Sequence, residues 1–259
     1  MLFSLLPTLL SGALVGFSLG LVGGGGSILA TPLLLYVVGV SDPHIAIGTS
    51  ALAVAVNAFA NLIGHARSGN VRWRCALVFA GVGTLGALAG SSLGKLVDGE
   101  RLLFLFGLLM LVVGAMMFRP KRRAASSKQS DNLKMCVLTA AVAFGTGMAS
   151  GFFGIGGGFL IVPALIFATG MPMINAIGSS LLAVGSFGLA TALNYAASGL
   201  VDWPVAFEFI AGGVLGGILG MMLANRLSSG KNALNRIFAA LIFVVAAYVL
   251  YRSAGAFLW

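Results

Sequence analysis

The sequence predicts an all-α integral membrane protein built from two homologous halves as inverted repeats, with about 8–10 membrane segments. Three observations predict this fold. Of the 259 residues, 59% are hydrophobic and 8% are charged, whereas a soluble domain carries about 25% charged residues. Long apolar runs follow one another along the chain, and one set of motifs occurs twice. Such a chain cannot cover a water-facing surface, so lipid must surround it.

The apolar runs have the lengths of membrane helices. A helix needs roughly 20 apolar residues to cross a bilayer, whereas a barrel strand needs about 9–11. The ten predicted segments are Leu2–Val22, Ser27–Val40, Ile45–Gly64, Cys75–Val97, Leu102–Phe118, Leu133–Phe153, Gly158–Gly170, Ala176–Ala197, Trp203–Asn225 and Ala233–Tyr251. The first run lacks a basic flank and leads into glycines, so we interpret it as a retained segment rather than a cleaved signal peptide.

The basic residues lie mainly in short gaps between the apolar runs. This pattern fits the positive-inside rule and argues against nucleic-acid binding as the reason for the net charge of +9. The longest gap, residues 119–132, is predicted to be a basic cytoplasmic linker between a first transmembrane repeat (1–118) and a second (133–259). The two cysteines, Cys75 and Cys136, fit neither a disulfide framework nor a metal motif.

The two halves repeat their motifs in the same order. Seven residues recur 131 positions later, namely Gly20, Gly23, Gly25, Gly26, Leu29, Pro32 and Gly39. After a slip of one residue, eight more recur 130 positions later, namely Gly48, Ser50, Leu52, Ala53, Ser68, Gly69, Val71 and Trp73. Chance does not align such a set, so we infer a duplication.

The charge distribution favours an inverted second half. If all five segments of each half cross the membrane, the odd number inverts the second half. Arg67–Arg74, Arg119–Lys134 and Arg226–Arg236 then face the cytoplasm and hold twelve of the fifteen lysines and arginines. Parallel halves would leave ten on one side and five on the other. The inverted arrangement fits the positive-inside rule better and is common in secondary transporters.

Glycine clusters precede the two shortest segments, each of which contains a proline. The clusters are Gly23-Gly24-Gly25-Gly26-Ser27 and Gly154-Ile155-Gly156-Gly157-Gly158. A helix that starts after such a break presents free N–H groups and its positive dipole end, which favours an anion. Tight packing is the alternative, but the symmetric placement of the clusters favours a substrate site. The sequence does not decide whether residues 27–40 and 158–170 span the membrane or are re-entrant.

Glycines also recur every fourth residue, at Gly86, Gly90 and Gly94 and again at Gly212, Gly216 and Gly220. This small-xxx-small spacing predicts close packing between membrane helices.

Polar residues mark one face of the third segment, where Ser50, Asn57, Asn61 and His65 follow helical spacing. The equivalent face of the eighth segment carries Ser180, Phe187, Thr191 and Tyr195, with Thr49, Ser179, Ser186 and Asn194 nearby. Polar side chains in hydrocarbon must face the protein interior or a pore. They can bind substrate or hydrogen-bond helices together, and both interpretations stay open.

Glu208 is an acid inside a predicted span and, with His65, is a candidate for proton coupling. Snorkelling of Glu208 to the interface is the alternative. The sequence contains no catalytic triad, paired carboxylates or Cys/His metal cluster, so we expect no enzyme activity, no cofactor and no metal site.

The motifs together resemble the sulfite exporter TauE/SafE family. They are GLVGGGGSILATPLLL and GFFGIGGGFLIVPALI, then IAIGTSAL and AIGSSLL, then SGNVRW and SGLVDW. The resemblance covers essentially the whole chain and implies a multi-pass inner-membrane permease for sulfite, sulfonates or sulfoacetate. It implies substrate binding by both glycine clusters and by the Gly-Thr/Ser-Ser segments. Ile155 stands where the first cluster has Gly24, so the two half-sites cannot be chemically identical.

We therefore expect a secondary transporter that moves a small sulfur-containing oxyanion by alternating access. A permease or channel for another small anion, such as a carboxylate, is the alternative. The expected partners are the anion, the lipid bilayer and coupling protons or sodium. The candidate substrate-binding residues are Gly23, Gly24, Gly25, Gly26, Ser27, Thr49, Ser50, Asn57, Asn61, Gly154, Gly156, Gly157, Gly158, Ser179, Ser180, Thr191 and Asn194.

Overall fold

The computed structural model describes residues 2–118, 133–154, 158–227 and 233–253. Within these ranges every regular element is helical. The α-helices are α1 (Leu2–Val22), α2 (Ala30–Leu33), α3 (Pro43–Arg67), α4 (Trp73–Gly94), α5 (Gly99–Phe118), α6 (Leu133–Phe153), α7 (Gly158–Thr169), α8 (Met173–Ala196), α9 (Trp203–Leu227) and α10 (Ala233–Ser253). The all-α prediction is confirmed. The predicted linker 119–132 and residues 155–157, which include the candidates Gly156 and Gly157, lie outside the described residues.

The predicted second segment is a composite, which we call the first broken segment (residues 23–38). It consists of a 3₁₀ helix (Gly23–Leu29), α2 and one π-helical stretch (Leu34–Val38). The sequence predicted a helix beginning after the glycines, but the glycines themselves form the first 3₁₀ turn. Gly23 makes the sharp entry with φ 68°, a conformation that glycine adopts without strain. We call α7 the second broken segment.

Three parallel helices, α1, α3 and α9, form the first bundle. Their direction follows from close contacts at two levels. These are Gly16 with Gly213, Gly20 with Gly217, Asn57 with Gly213, and Asn61 with Gly217. Residue numbers rise together in all three helices, so all three point the same way. Because α1 and α3 are parallel, the chain between them must return from the end of α1 to the level at which α3 begins. The first broken segment makes this return, so it is not re-entrant.

The second bundle consists of α4, α6 and α8 and is built in the same way. Its contacts are Gly83 with Phe187, Gly86 with Phe144, Gly94 with Phe152, and Ser91 with Asn194. These pairs again rise in parallel. Each bundle takes two helices from one half of the sequence and one from the other, so the halves interlock.

The two bundles meet along α3 and α8, which run antiparallel. A Cβ on Gly48, near the start of α3, would overlap the carbonyl of Leu200, just after α8. Gly178, near the start of α8, lies in the same way against Asn70, just after α3. Gly185 packs on the ring of Phe59 between these ends. Helices α3 and α8 therefore point in opposite directions.

The spaced glycines of α4 and α9 pack as the sequence predicted. A Cβ on any of them would overlap backbone of the facing helix. Gly86, Gly90 and Gly94 face Phe144, Met148 and Phe152, and Gly212, Gly216 and Gly220 face Leu9, Ala13 and Phe17. The helices of these pairs approach more closely than side chains would allow.

Five described helices are long and apolar enough to cross a membrane, namely α1, α3, α4, α8 and α9. Shorter apolar stretches occur in α5, α6, α7, α10 and the first broken segment. Outside the two bundles, α5 and α10 pack on each other through Phe106, Met110, Val245 and Val249. This is the architecture of a multi-pass membrane protein.

Candidate substrate site

The two glycine clusters enter the core at equivalent points. Gly23 has φ 68° and Gly154 has φ 66°. Gly23 lies against Ile177 and Ser180 of α8, whereas Gly154 lies against Ile47 of α3. The break in each half therefore rests on the third helix of the other half, where the two bundles meet.

The clusters touch each other at Gly24 and Gly158. A Cβ on either residue would overlap the backbone of the other. The Gly24 N–H donates to Ser180 Oγ over 3.3 Å, and Ser27 Oγ donates to the Gly24 carbonyl over 2.8 Å. The structure thus brings together Gly23, Gly24, Ser27, Gly158 and Ser180 among the residues selected from the sequence.

The hydroxyls of Ser50 and Ser180 occupy equivalent places beside the broken segments. Ser50 Oγ donates to the Ile47 carbonyl over 2.9 Å, and Ser180 Oγ donates to the Ile177 carbonyl over 2.8 Å. Because each hydroxyl proton is used within its own helix, each oxygen is left to accept. Ser180 accepts from Gly24, and Ser50 is 2.8 Å from Thr31 Oγ1. Both serines hold a broken segment in place.

Thr49 and Ser179 tie the halves together. The Asp202 N–H, just before α9, donates to Thr49 Oγ1 over 2.9 Å. The Arg72 N–H, just before α4, donates to Ser179 Oγ over 2.9 Å. Each hydroxyl satisfies a backbone donor at the entry to a helix that comes from the other half of the sequence but belongs to the same bundle. The side-chain oxygens of Thr49 and Ser179 therefore already accept a hydrogen bond from the backbone, which the sequence did not reveal.

The predicted polar face of α3 is buried in the first bundle, with His65 and Asn57 both 0% exposed. Asn61 Nδ2 donates to the Asn57 carbonyl over 2.9 Å, and His65 Nε2 lies 3.0 Å from the Gly20 carbonyl. The Asn57 carboxamide contacts Gly213, yet neither its oxygen nor its nitrogen has a hydrogen-bond partner among the described residues. A buried amide without a partner costs free energy unless a ligand or water satisfies it.

On the equivalent face of α8, Asn194 has hydrogen-bond partners, whereas the hydroxyls of Thr191 and Tyr195 have none among the described residues. Asn194 Nδ2 donates to Ser91 Oγ over 2.6 Å and to Ser92 Oγ over 3.0 Å. Lys95 Nζ donates to Asn194 Oδ1 over 2.8 Å and to Ser198 Oγ over 2.9 Å. From the sequence, Lys95 was counted only for the positive-inside rule, because linear spacing does not show that α4 and α8 end side by side.

The two candidates for proton coupling lie far apart. His65 is near the end of α3, level with the last turns of α9, where Asn70 bridges it to Asn225. Glu208 lies in the first turns of α9, partly buried and without a hydrogen-bond or ion-pair partner among the described residues. At 1.5 Å per residue the two side chains are separated by about 20 Å along the bundle. They do not form a direct relay.

Nothing in the described part of the chain groups three His, Cys, Asp or Glu residues closely enough to hold a metal ion. Among the described residues, the buried polar side chains carry hydroxyls, the carboxamides of Asn57 and Asn61 and the imidazole of His65.

Comparison with known proteins agrees with this architecture. The family model described as "Sulfite exporter TauE/SafE" matches residues 8–249. A "Probable membrane transporter protein" of Xylella fastidiosa strain 9a5c is 66% identical over 251 residues, covering 96% of each chain. The probable membrane transporter protein YunE of Bacillus subtilis is 24% identical over 93% of this chain and 96% of its own. A third relative, MJ0441 of Methanocaldococcus jannaschii, is 26% identical over 86% of this chain and 88% of its own.

No solved structure is a significant match to the chain. The family match covers nearly all of both halves and agrees with the resemblance seen in the motifs. The relatives are named probable membrane transporter proteins, and the similarity covers almost their full length. The chain is therefore a multi-pass membrane transporter that belongs to the sulfite exporter TauE/SafE family.

Proposed function

We propose that this transporter moves a small sulfur-containing oxyanion, such as sulfite, a sulfonate or sulfoacetate, across the inner membrane by alternating access. The observation that carries the proposal is the meeting of the two broken segments at Gly24 and Gly158. In secondary transporters, discontinuous helices at the interface of two repeats form the substrate site. The family's described activity, sulfite export, supports the substrate class.

The proposed repeats are residues 1–118 and 133–259, inverted relative to each other. The antiparallel packing of α3 and α8 supports the inversion, because these helices hold equivalent positions in the two halves. Rocking of one bundle against the other would then expose the shared site to each side of the membrane in turn.

The broken segments supply donors for an anion without a buried cation. A 3₁₀ helix leaves its first N–H groups without partners inside the helix. A helix terminus stabilises an anion by about 0.3–1 kcal/mol, and by up to about 2 kcal/mol when partly buried. Moderate binding of this kind suits a carrier, which must also release its substrate. Gly23–Ser27, Gly154–Gly158 and the polar residues of α3 and α8 are proposed to surround the anion.

A permease or channel for another small anion, such as a carboxylate, is the second candidate. Helix termini and neutral donors bind carboxylates as well as sulfur oxyanions, so the architecture alone does not separate the two classes.

Uptake of ³⁵S-labelled sulfite into liposomes containing the purified protein tests the proposal. We expect saturable uptake that methanesulfonate and sulfoacetate inhibit and that acetate inhibits much less. Stronger inhibition by acetate than by sulfonates would favour the carboxylate permease. Uptake that rises linearly at all concentrations would indicate a channel, and uptake no faster than in empty liposomes would contradict a transport role.

We further propose that Glu208 carries a coupling proton, because it is an acid inside a membrane helix with no hydrogen-bond or ion-pair partner among the described residues. Glu208→Gln should abolish uptake driven by a pH gradient while sulfite binding to the purified protein stays unchanged. Asp202→Asn is the control, since Asp202 precedes the same helix and caps it through the oxygen that accepts from Val205 N–H. Undiminished pH-driven uptake in Glu208→Gln would remove Glu208 from the mechanism.

A further inference from the structure

Three hydroxyls of the second bundle are buried without any hydrogen-bond partner among the described residues. They are Ser150 Oγ on α6 and Thr191 Oγ1 and Tyr195 Oη on α8. Their residues are 1%, 0% and 0% exposed. Buried hydroxyls nearly always find a partner, so three orphans in one bundle require an explanation.

Other helical hydroxyls of this chain show what Ser150 and Thr191 lack. Thr84, Thr146 and Ser186 each donate to the carbonyl four residues earlier, over 2.6–2.9 Å. That bond is the usual way in which a membrane helix satisfies serine and threonine. Ser150 and Thr191 do not make it, although Thr146 lies one turn before Ser150 on the same helix. The hydroxyl groups of Ser150 and Thr191 are therefore free to donate a hydrogen bond to a ligand.

The three hydroxyls belong to one region of the bundle. Thr191 and Tyr195 are one turn apart on the same face of α8. Tyr195 belongs to a buried cluster with Ile47 and Leu102, and Phe152 and Phe153, close in sequence to Ser150, pack against this cluster. The first bundle has the same geometry, because His65, the equivalent of Tyr195, reaches the carbonyl of Gly20. The equivalent of Gly20 is Gly151, the residue that follows Ser150.

The residues of the first bundle that correspond to Thr191 and Tyr195 already have hydrogen-bond partners. Asn61, which corresponds to Thr191, donates to the Asn57 carbonyl over 2.9 Å. His65 lies 3.0 Å from the Gly20 carbonyl. At these two positions the second bundle has free donors, whereas the free polar group of the first bundle is the carboxamide of Asn57. This difference predicts that a ligand binds in the second bundle.

We propose that Ser150, Thr191 and Tyr195 form a second oxyanion subsite, towards the other end of α8 from Ser180, that binds the sulfonate or sulfite group of the substrate. This inference rests on the proposed function and assigns its substrate class to a particular place. Three O–H donors match the three oxygens of a sulfite or sulfonate group, whereas a carboxylate offers two. The ammonium of Lys95 lies 5.9 Å from the centroid of the Tyr195 ring and adds a favourable positive charge.

The structure describes this subsite in a closed state. All three hydroxyls are shielded from solvent, so an anion can reach them only after the helices move. Such closure is expected of a carrier between its two open states.

Binding of sulfite and methanesulfonate to the detergent-purified full chain, measured by titration calorimetry, tests the subsite. Ser150→Ala, Thr191→Val and Tyr195→Phe should each weaken binding by about tenfold or more, as expected for a lost hydrogen bond to a charged group. Thr146→Val is the matched control and should bind as wild type, because its hydroxyl already has a partner within α6. The melting temperature of Tyr195→Phe without ligand should not fall, because its hydroxyl has no partner to lose among the described residues.

The outcomes separate this inference from the proposed function. Wild-type affinity in all three variants, with normal sulfite uptake, would show that water satisfies the hydroxyls and would overturn the subsite alone. A large loss in Asn57→Leu with none in the three variants would place the anion in the first bundle and would likewise overturn it. Failure of the wild-type protein to bind or transport either anion would reject the proposed function and the subsite together.

Discussion

Replacing Gly24 with valine is expected to abolish transport. Any Cβ at this position would overlap the backbone of Gly158, so the two broken segments must separate. The Gly24 N–H would also move away from Ser180 Oγ, which it now meets at 3.3 Å. Overpacking a tight core costs about 1–3 kcal/mol, which the bundles can absorb without unfolding. Sulfite uptake in liposomes should therefore disappear while folded protein is still recovered.

Two companion variants make this result interpretable. Gly81→Val is the control, because a Cβ at Gly81 on α4 meets nothing within 4 Å. Its uptake should equal that of wild type. Ser180→Ala removes the acceptor of the Gly24 N–H without adding volume, and it should reduce uptake without abolishing it. Full uptake by a monodisperse Gly24→Val protein would show that contact between the clusters is not needed for transport.

Much of the helical framework could be predicted from the sequence. Length and apolarity placed the helices, and α6 begins and ends where predicted. Glycines at every fourth position correctly predicted close helix packing on α4 and α9. Such spacing shows that a helix has a close neighbour, but it does not say which one. The interlocked pairing of α1 with α9 and of α4 with α6 therefore appears only in three dimensions.

The candidate site was predictable as a set of residue types but not as a set of partners. Of the glycine clusters and the α3–α8 hydroxyls selected from the sequence, Gly24, Gly158 and Ser180 meet in the structure. The sequence could not show that Thr49 and Ser179 accept from backbone N–H groups of the opposite half of the chain. Ser150 was missed because one serine in an apolar run resembles many others. Ser150 differs from them only because its hydroxyl has no hydrogen-bond partner among the described residues.

The loops that follow α3 and α8 are expected to face opposite sides of the membrane. Ser68 and Ser198 are equivalent residues of these loops and both are exposed. Because α3 and α8 run antiparallel, their C-terminal ends lie at opposite ends of the molecule. The charge distribution predicts that Ser68, beside Arg67 and Arg72, faces the cytoplasm. Parallel repeats would place both loops on the same side, so the difference is all or none.

The inverted arrangement of the two halves is the central claim, and labelling of these two loops tests it most directly. Ser68→Cys and Ser198→Cys would be made separately in a chain in which Cys75 and Cys136 are replaced by serine. Intact cells would then be treated with a membrane-impermeant thiol reagent. We predict rapid labelling at position 198 and none at position 68 until the cells are opened. Equal labelling of both positions in intact cells, or of neither until lysis, would contradict the inverted arrangement.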